Sequence, residues 1–144
     1  MLSYVIICTY AFNMEQLEQY IKEMGEDVDL DEFNLKDVQL KLPALKHKWV
    51  GRLIRTKGAQ SVIQERKDNI IMEIAKEVIA TATYQVTLPT AMKAAEKHTR
   101  VKKINEEMKE NRLIIDFLEK GEKIFTGMSF DIKNITEIMK LETL

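Results

Sequence analysis

An all-α fold made of long helices is the reading this sequence supports, and three features carry it. Only five Gly and two Pro occur in 144 residues, so turn-forming positions are sparse. Lys, Glu, Ile, Leu and eight Met are abundant, and these residues lose little side-chain freedom in a helix. Apolar residues recur three and four positions apart rather than in alternation. With 45% hydrophobic and 31% charged residues, the chain has the composition of one globular domain with a core of its own.

The elements follow in order. Tyr4, Val5, Ile6, Ile7, Thr9 and Tyr10 favour a strand, yet the sequence offers such a strand no partner. A first helix is expected from Met14, with Leu17, Tyr20, Ile21 and Met24 on one face and Gly25 at its end. An acidic linker with Asp27, Asp29 and Asp31 follows, in which Asp29 or Asp31 is placed to cap the next turn. Pro43 suits the first turn of a long second helix, whose stripe is Leu42, Leu45, Trp49 and Leu53. Gly51 and Gly58 weaken that helix, with a break expected near Gly58 if anywhere. Thr81 to Thr90 reads as a connector. A further helix runs from about Thr90 to Thr126, with Thr99 the natural place for an interruption. Gly127 and Ser129 are expected to form the last turn, before a terminal helix with Phe130, Ile135, Ile138 and Met139. The protomer expected from this pattern is a helical hairpin or bundle.

The residues exclude several chemistries. With Cys8 as its one cysteine, the chain forms no internal disulfide and needs no oxidising compartment. The apolar run Leu2–Phe12 is too short to span a bilayer and lacks the basic flank of a signal peptide, so the expectation is a cytosolic protein that does not enter membranes. His47, His98 and Cys8 are too few for an ordinary zinc site. The series Asp27, Asp29, Asp31 starts like a calcium loop, but Glu32 stands where the sixth position needs Gly and Val38 where the twelfth needs Glu. No phosphate-binding glycine loop occurs. No catalytic constellation, metal or cofactor is expected.

Charge is the informative property. The net charge is −1, but residues 1–35 carry eight acidic groups and one Lys, whereas residues 36–76 carry ten basic and four acidic groups. Between Lys41 and Lys57 there are six basic residues and no acidic one. On a helix, Lys41, Lys48, Arg52, Arg55 and Arg66 fall within roughly 60° of one another, beside the apolar stripe. Such a row neutralises phosphates whatever bases they carry, which makes these five residues candidate DNA contacts. The same row also suits an acidic partner surface, in the chain itself or in a neighbour. Trp49 lies among these cations, where a base can stack on it. It also shares the stripe of Leu45 and Leu53, which favours a core position.

Three segments carry a family likeness: Met14-Glu15-Gln16-Leu17-Glu18 leading into Val28-Asp29-Leu30-Asp31; Leu42-Pro43-x-Leu45-x-His47-Lys48-Trp49 within 40–57; and Phe130-x-Ile132-Lys133-Asn134 with Met139 after the helix around Leu113 to Ile124. Through them the chain resembles the UvsY-type recombination mediators of tailed phages over most of residues 14–141. It departs from that pattern at residues 1–13, which look like an extension or a wrongly chosen start before a family-like Met14 and are expected to pack poorly. A second departure is Ile70-Ile71-Met72-Glu73-Ile74, where many members carry an Arg-rich stretch.

The resemblance implies an all-helical protomer that assembles into a ring-like homo-oligomer, heptameric in the family. It further implies a non-enzymatic mediator, acting in the cytoplasm of the infected host cell, that loads a phage recombinase onto single-stranded DNA covered by the phage single-strand-binding protein. Residues 14–144 would form one mediator domain. The surplus of apolar residues late in the chain makes Phe130, Ile132, Ile135, Ile138 and Met139 the expected self-association surface. The competing reading is a helical structural or adaptor protein whose basic stripe pairs with an acidic surface. A duplex-binding regulator is disfavoured, because residues 51–78 show no compact helix–turn–helix spacing.

Overall fold

The computed structural model describes residues 14–144 with their side chains and residues 2–13 through the backbone of the first helix alone. Among the described residues there are four helices: α1 (Leu2–Asp27), α2 (Leu35–Thr81), α3 (Leu88–Ala95) and α4 (Thr99–Glu142). No strand occurs among the described residues, so the chain is all-α, as its pattern predicts. How the side chains of residues 1–13 pack lies outside the described residues.

Several element boundaries differ from the expected ones, each for a local reason. Gly25 does not end α1; no glycine takes a positive φ, and the helix continues to Asp27. The next turn is organised by Asp31 and Asn34. The Asp31 carboxylate accepts from the N–H groups of Phe33 and Asn34 at 2.7 and 3.0 Å. The Asn34 side-chain oxygen accepts from the N–H of Asp31 at 2.9 Å. This reciprocal box fixes the turn immediately before the helix, and α2 begins at Leu35 and not at Pro43. Pro43 therefore sits inside α2, where it removes one backbone bond at a cost of about 3 kcal/mol. Burial of Leu42 and Trp49 on either side of it offsets that cost.

Gly58 does not break α2, and no turn forms at Gly127 and Ser129, because α4 runs on to Glu142. Phe125, Met128 and Ile132 are buried at positions i, i+3 and i+7, a continuous helical stripe that outweighs the roughly 1 kcal/mol propensity cost of one glycine. The interruption before Thr99 does occur. Residues 96–98 form a tight turn, and the His98 ring Nδ1 accepts from the Arg100 N–H at 3.1 Å, capping α4. The connector before α3 spans residues 82–87, and Pro89 stands in the first turn of that helix.

The chain folds as two units, Met1–Arg55 with Leu113–Leu144, and Thr56–Arg112. The core of the first unit joins Met24 of α1, Leu42, Trp49 and Leu53 of α2, and Ile114, Leu118, Phe125 and Met128 of α4. Gly121 belongs to this contact: a Cβ there would overlap the end of the Met24 side chain, so the missing side chain makes room for the thioether in its present position. In the second unit, one cluster joins Ile71 and Ile74 to Ala95 and Val101, and another joins Ile63 to Ile104 and Met108. The buried Asn111 donates to the Thr56 carbonyl at 3.1 Å and to the Gln60 side chain at 2.8 Å, satisfying its amide there.

Candidate nucleic-acid interface

The basic row of α2 is a real helix surface, but its members differ in what they touch. Tyr20, Glu23, Met24 and Asp27 recur at i, i+3, i+4 and i+7 along α1, which puts an apolar patch and two carboxylates on one face. Met24 enters the core, and the two carboxylates meet the edge of the α2 row. Lys48 donates to Glu23 at 2.9 Å and to Asp27. Arg52 donates to the other Glu23 oxygen at 2.7 Å. The Arg52 guanidinium lies 4.9 Å from the Tyr20 ring centre and 4.6 Å from that of Trp49, so it is held by aromatic faces as well as by charge.

The electrostatics agree with this geometry. The hydrogen bond from Arg52, reinforced by Lys48, holds the Glu23 carboxyl below its ordinary 4.5 although partial burial opposes it. Burial works against the charged Lys48, but its bonds to Asp27 and Glu23 outweigh that and keep its pKa above the ordinary 10.5. Both groups are thus fixed in their ionised forms around neutral pH.

Trp49 is a core residue. It is 1% exposed, its indole N–H donates to Asp27 at 2.8 Å, its ring meets Tyr20 edge-on at 5.7 Å, and it stacks near Phe125 at 6.3 Å. A base has no access to a ring enclosed in this way.

The other members of the row are placed differently. Lys41 is exposed, with no carboxylate at ion-pair distance among the described residues. Arg55 is exposed as well, and its guanidinium rests over the bare backbone of Gly51. Arg66, in the second unit, is half exposed and ion-paired with Glu107. Of the expected self-association residues, Phe130 and Ile138 are 71% and 55% exposed, Ile135 and Met139 are half-buried, and Ile132 is buried within the chain itself. The partners Glu23 and Asp27 were legible only as a general acidic excess; their spacing on α1 is the signal that singles them out.

Among the described residues, no group of three or more His, Cys, Asp or Glu side chains gathers to hold a metal ion. Among the described residues, no helix is long and apolar enough to cross a membrane.

No protein-family model and no curated protein sequence matches the chain. Solved structures do. A crystal structure of the bacteriophage T4 recombination mediator protein UvsY superposes with a TM-score of 0.74 at 18% identity, covering 88% of this chain and 98% of that one. A second crystal form of the same protein gives a TM-score of 0.72 at 16% identity, covering 88% and 97%. The chain has a UvsY-like fold.

Proposed function

We propose that this chain is a recombination mediator. It binds single-stranded DNA without sequence preference and helps a phage recombinase replace the phage single-strand-binding protein, in the cytoplasm of the infected cell and without enzymatic chemistry of its own. The observation that carries the reading is the likeness to a recombination mediator over 98% of that protein's chain. A mediator has to hold any sequence, and contacts to phosphate meet that need because they carry no base information.

On this reading the free cations of the α2 row, Lys41 and Arg55, make direct phosphate contacts. Lys48 and Arg52 brace α1 against α2 and reach DNA only by giving up Glu23 and Asp27. Arg66 reaches it only by giving up Glu107. A homo-oligomeric ring repeats each weak contact, so avidity supplies affinity that one protomer lacks.

The test is recombinase ATPase activity on single-stranded DNA already covered by the cognate single-strand-binding protein. Adding this chain should restore the activity. The Lys41→Ala/Arg55→Ala variant should restore it less, and its log–log salt dependence of DNA binding should flatten by about 1.4, or about 0.7 for each phosphate no longer neutralised. Failure of the wild-type chain to restore activity at any concentration would sink the mediator reading.

A second reading has one observation in its favour. Lys48 and Arg52 are neutralised by α1, as in an adaptor whose basic row serves an acidic surface. On that reading the wild-type chain would bind no single-stranded DNA at moderate salt.

A further inference from the structure

The junction of α3 and α4 carries a charge cluster that the α2 row does not explain. From Leu88 to Asn105 there are five basic residues, Lys93, Lys97, Arg100, Lys102 and Lys103, and a single acidic one, Glu96. Arg100 reaches Glu73 at 3.4 Å. The four lysines are exposed, and among the described residues none has a carboxylate at ion-pair distance. This contrasts with Lys48 and Arg52, whose charges are met by α1.

Two of its members stand where cations are least welcome. The first turn of α4 contains no acidic residue, and the positive end of its helix dipole disfavours Lys102 and Lys103, whereas Lys93 lies in the last turn of α3, where a cation is favoured. The α4 dipole gives no reason to place Lys102 and Lys103 at this helix start; a bound anion relieves the repulsion. The backbone beneath them is firmly held. Ala91, Ala95 and Val101 are wholly buried, Ala95 and Val101 pack on Ile71 and Ile74, and the His98 carbonyl accepts from both Val101 and Lys102. The lysines therefore project as flexible point charges from a rigid turn, an arrangement suited to neutralising a phosphate chain without fixing its sequence.

We infer that the α3–α4 junction is a second phosphate-binding surface, which engages the backbone of single-stranded DNA through Lys93, Lys97, Lys102 and Lys103. The inference rests on the mediator reading for its ligand, but it concerns a surface separate from Lys41 and Arg55. Each protomer then holds the strand at two places.

The test uses the full chain with all four lysines changed to Gln, and a companion with all four changed to Arg. Binding to a labelled oligo-dT and to a mixed-sequence single strand is followed by anisotropy across a salt titration, with helix content checked by circular dichroism. The Gln variant should keep its helicity, lose at least about tenfold in affinity at 0.1 M salt for both strands, and flatten the salt slope by about 3. The Arg variant should bind like wild type. Wild-type binding with an unchanged Gln variant, or loss of binding in the Arg variant, overturns the second surface and leaves the mediator reading standing. Absence of binding by the wild-type chain removes both.

Discussion

Glu23 meets two cations with one carboxylate, and this gives α1 docking a pH signature. Its pKa is lowered in the folded chain, so its contribution is present above the ordinary 4.5 and is lost as pH falls through the lowered value. Lys48 is shifted upward, so its contribution is fully present below the ordinary 10.5 and is lost as pH rises through the raised value. Between these limits the α1–α2 contact is at full strength. Glu23 and Lys48 keep 37% and 30% of their side-chain surface exposed, so solvent screening limits the pair to roughly 0.5–1 kcal/mol. The Glu23→Gln variant should melt about 1–4 °C lower near neutral pH and lose less stability on acidification. Thermal melts by circular dichroism from pH 3 to 8 measure both, and an acid limb identical to wild type would remove Glu23 from the account.

At the scale of the element, the interior glycines of α2 and α4 are tolerated rather than required. Gly58 and Gly127 have negative φ, and a Cβ at either would meet nothing within 4 Å. Replacing either with Ala should stabilise the protomer by about 0.5–1 kcal/mol, because Ala loses less backbone freedom on folding. Chemical denaturation of each variant checks the sign. Destabilisation would mean that a neighbouring surface needs the bare backbone there. Gly121 is the opposite case, since its missing side chain makes room for Met24.

At the scale of the whole molecule, large apolar side chains remain outside the two cores. Phe130, Ile138 and Leu141 on the last turns of α4 are more than half exposed, a cluster that a second copy of the chain would cover. Removing residues 128–144 would also remove Met128 and Ile132 from the protomer core, so point changes are the sharper probe. The Phe130→Glu/Ile138→Glu variant should sediment as smaller species than wild type while keeping its helix content. An unaltered sedimentation profile would exclude this surface from assembly.

Local chemistry written along the chain was enough to determine the all-α class, the stripe of Leu42, Leu45, Trp49 and Leu53 and the basic row of α2, while it left open whether the helix breaks near Thr99. Helical periodicity and a charge count need no knowledge of distant partners. The short segments that resemble the mediators pointed to the UvsY-like fold that the superposition shows. Tertiary structure alone decided the rest. Propensity weighs Pro43, Gly58 and Gly127 one residue at a time, so it expects a helix start at Pro43, a weak point at Gly58 and a turn at Gly127, whereas long-range burial outweighs each of these costs and the helices run through. The row Lys41, Lys48, Arg52, Arg55 looked uniform because angle on a helix ignores what lies opposite. Only the docking of α1 separates Lys48 and Arg52, bound to Glu23 and Asp27, from Lys41 and Arg55, left to solvent. Its stripe favoured a core position for Trp49, while its cationic neighbours kept base stacking open for the same reason. A side chain on the border of an apolar stripe is assigned by the helix that packs over it, and that helix lies more than twenty residues away in sequence.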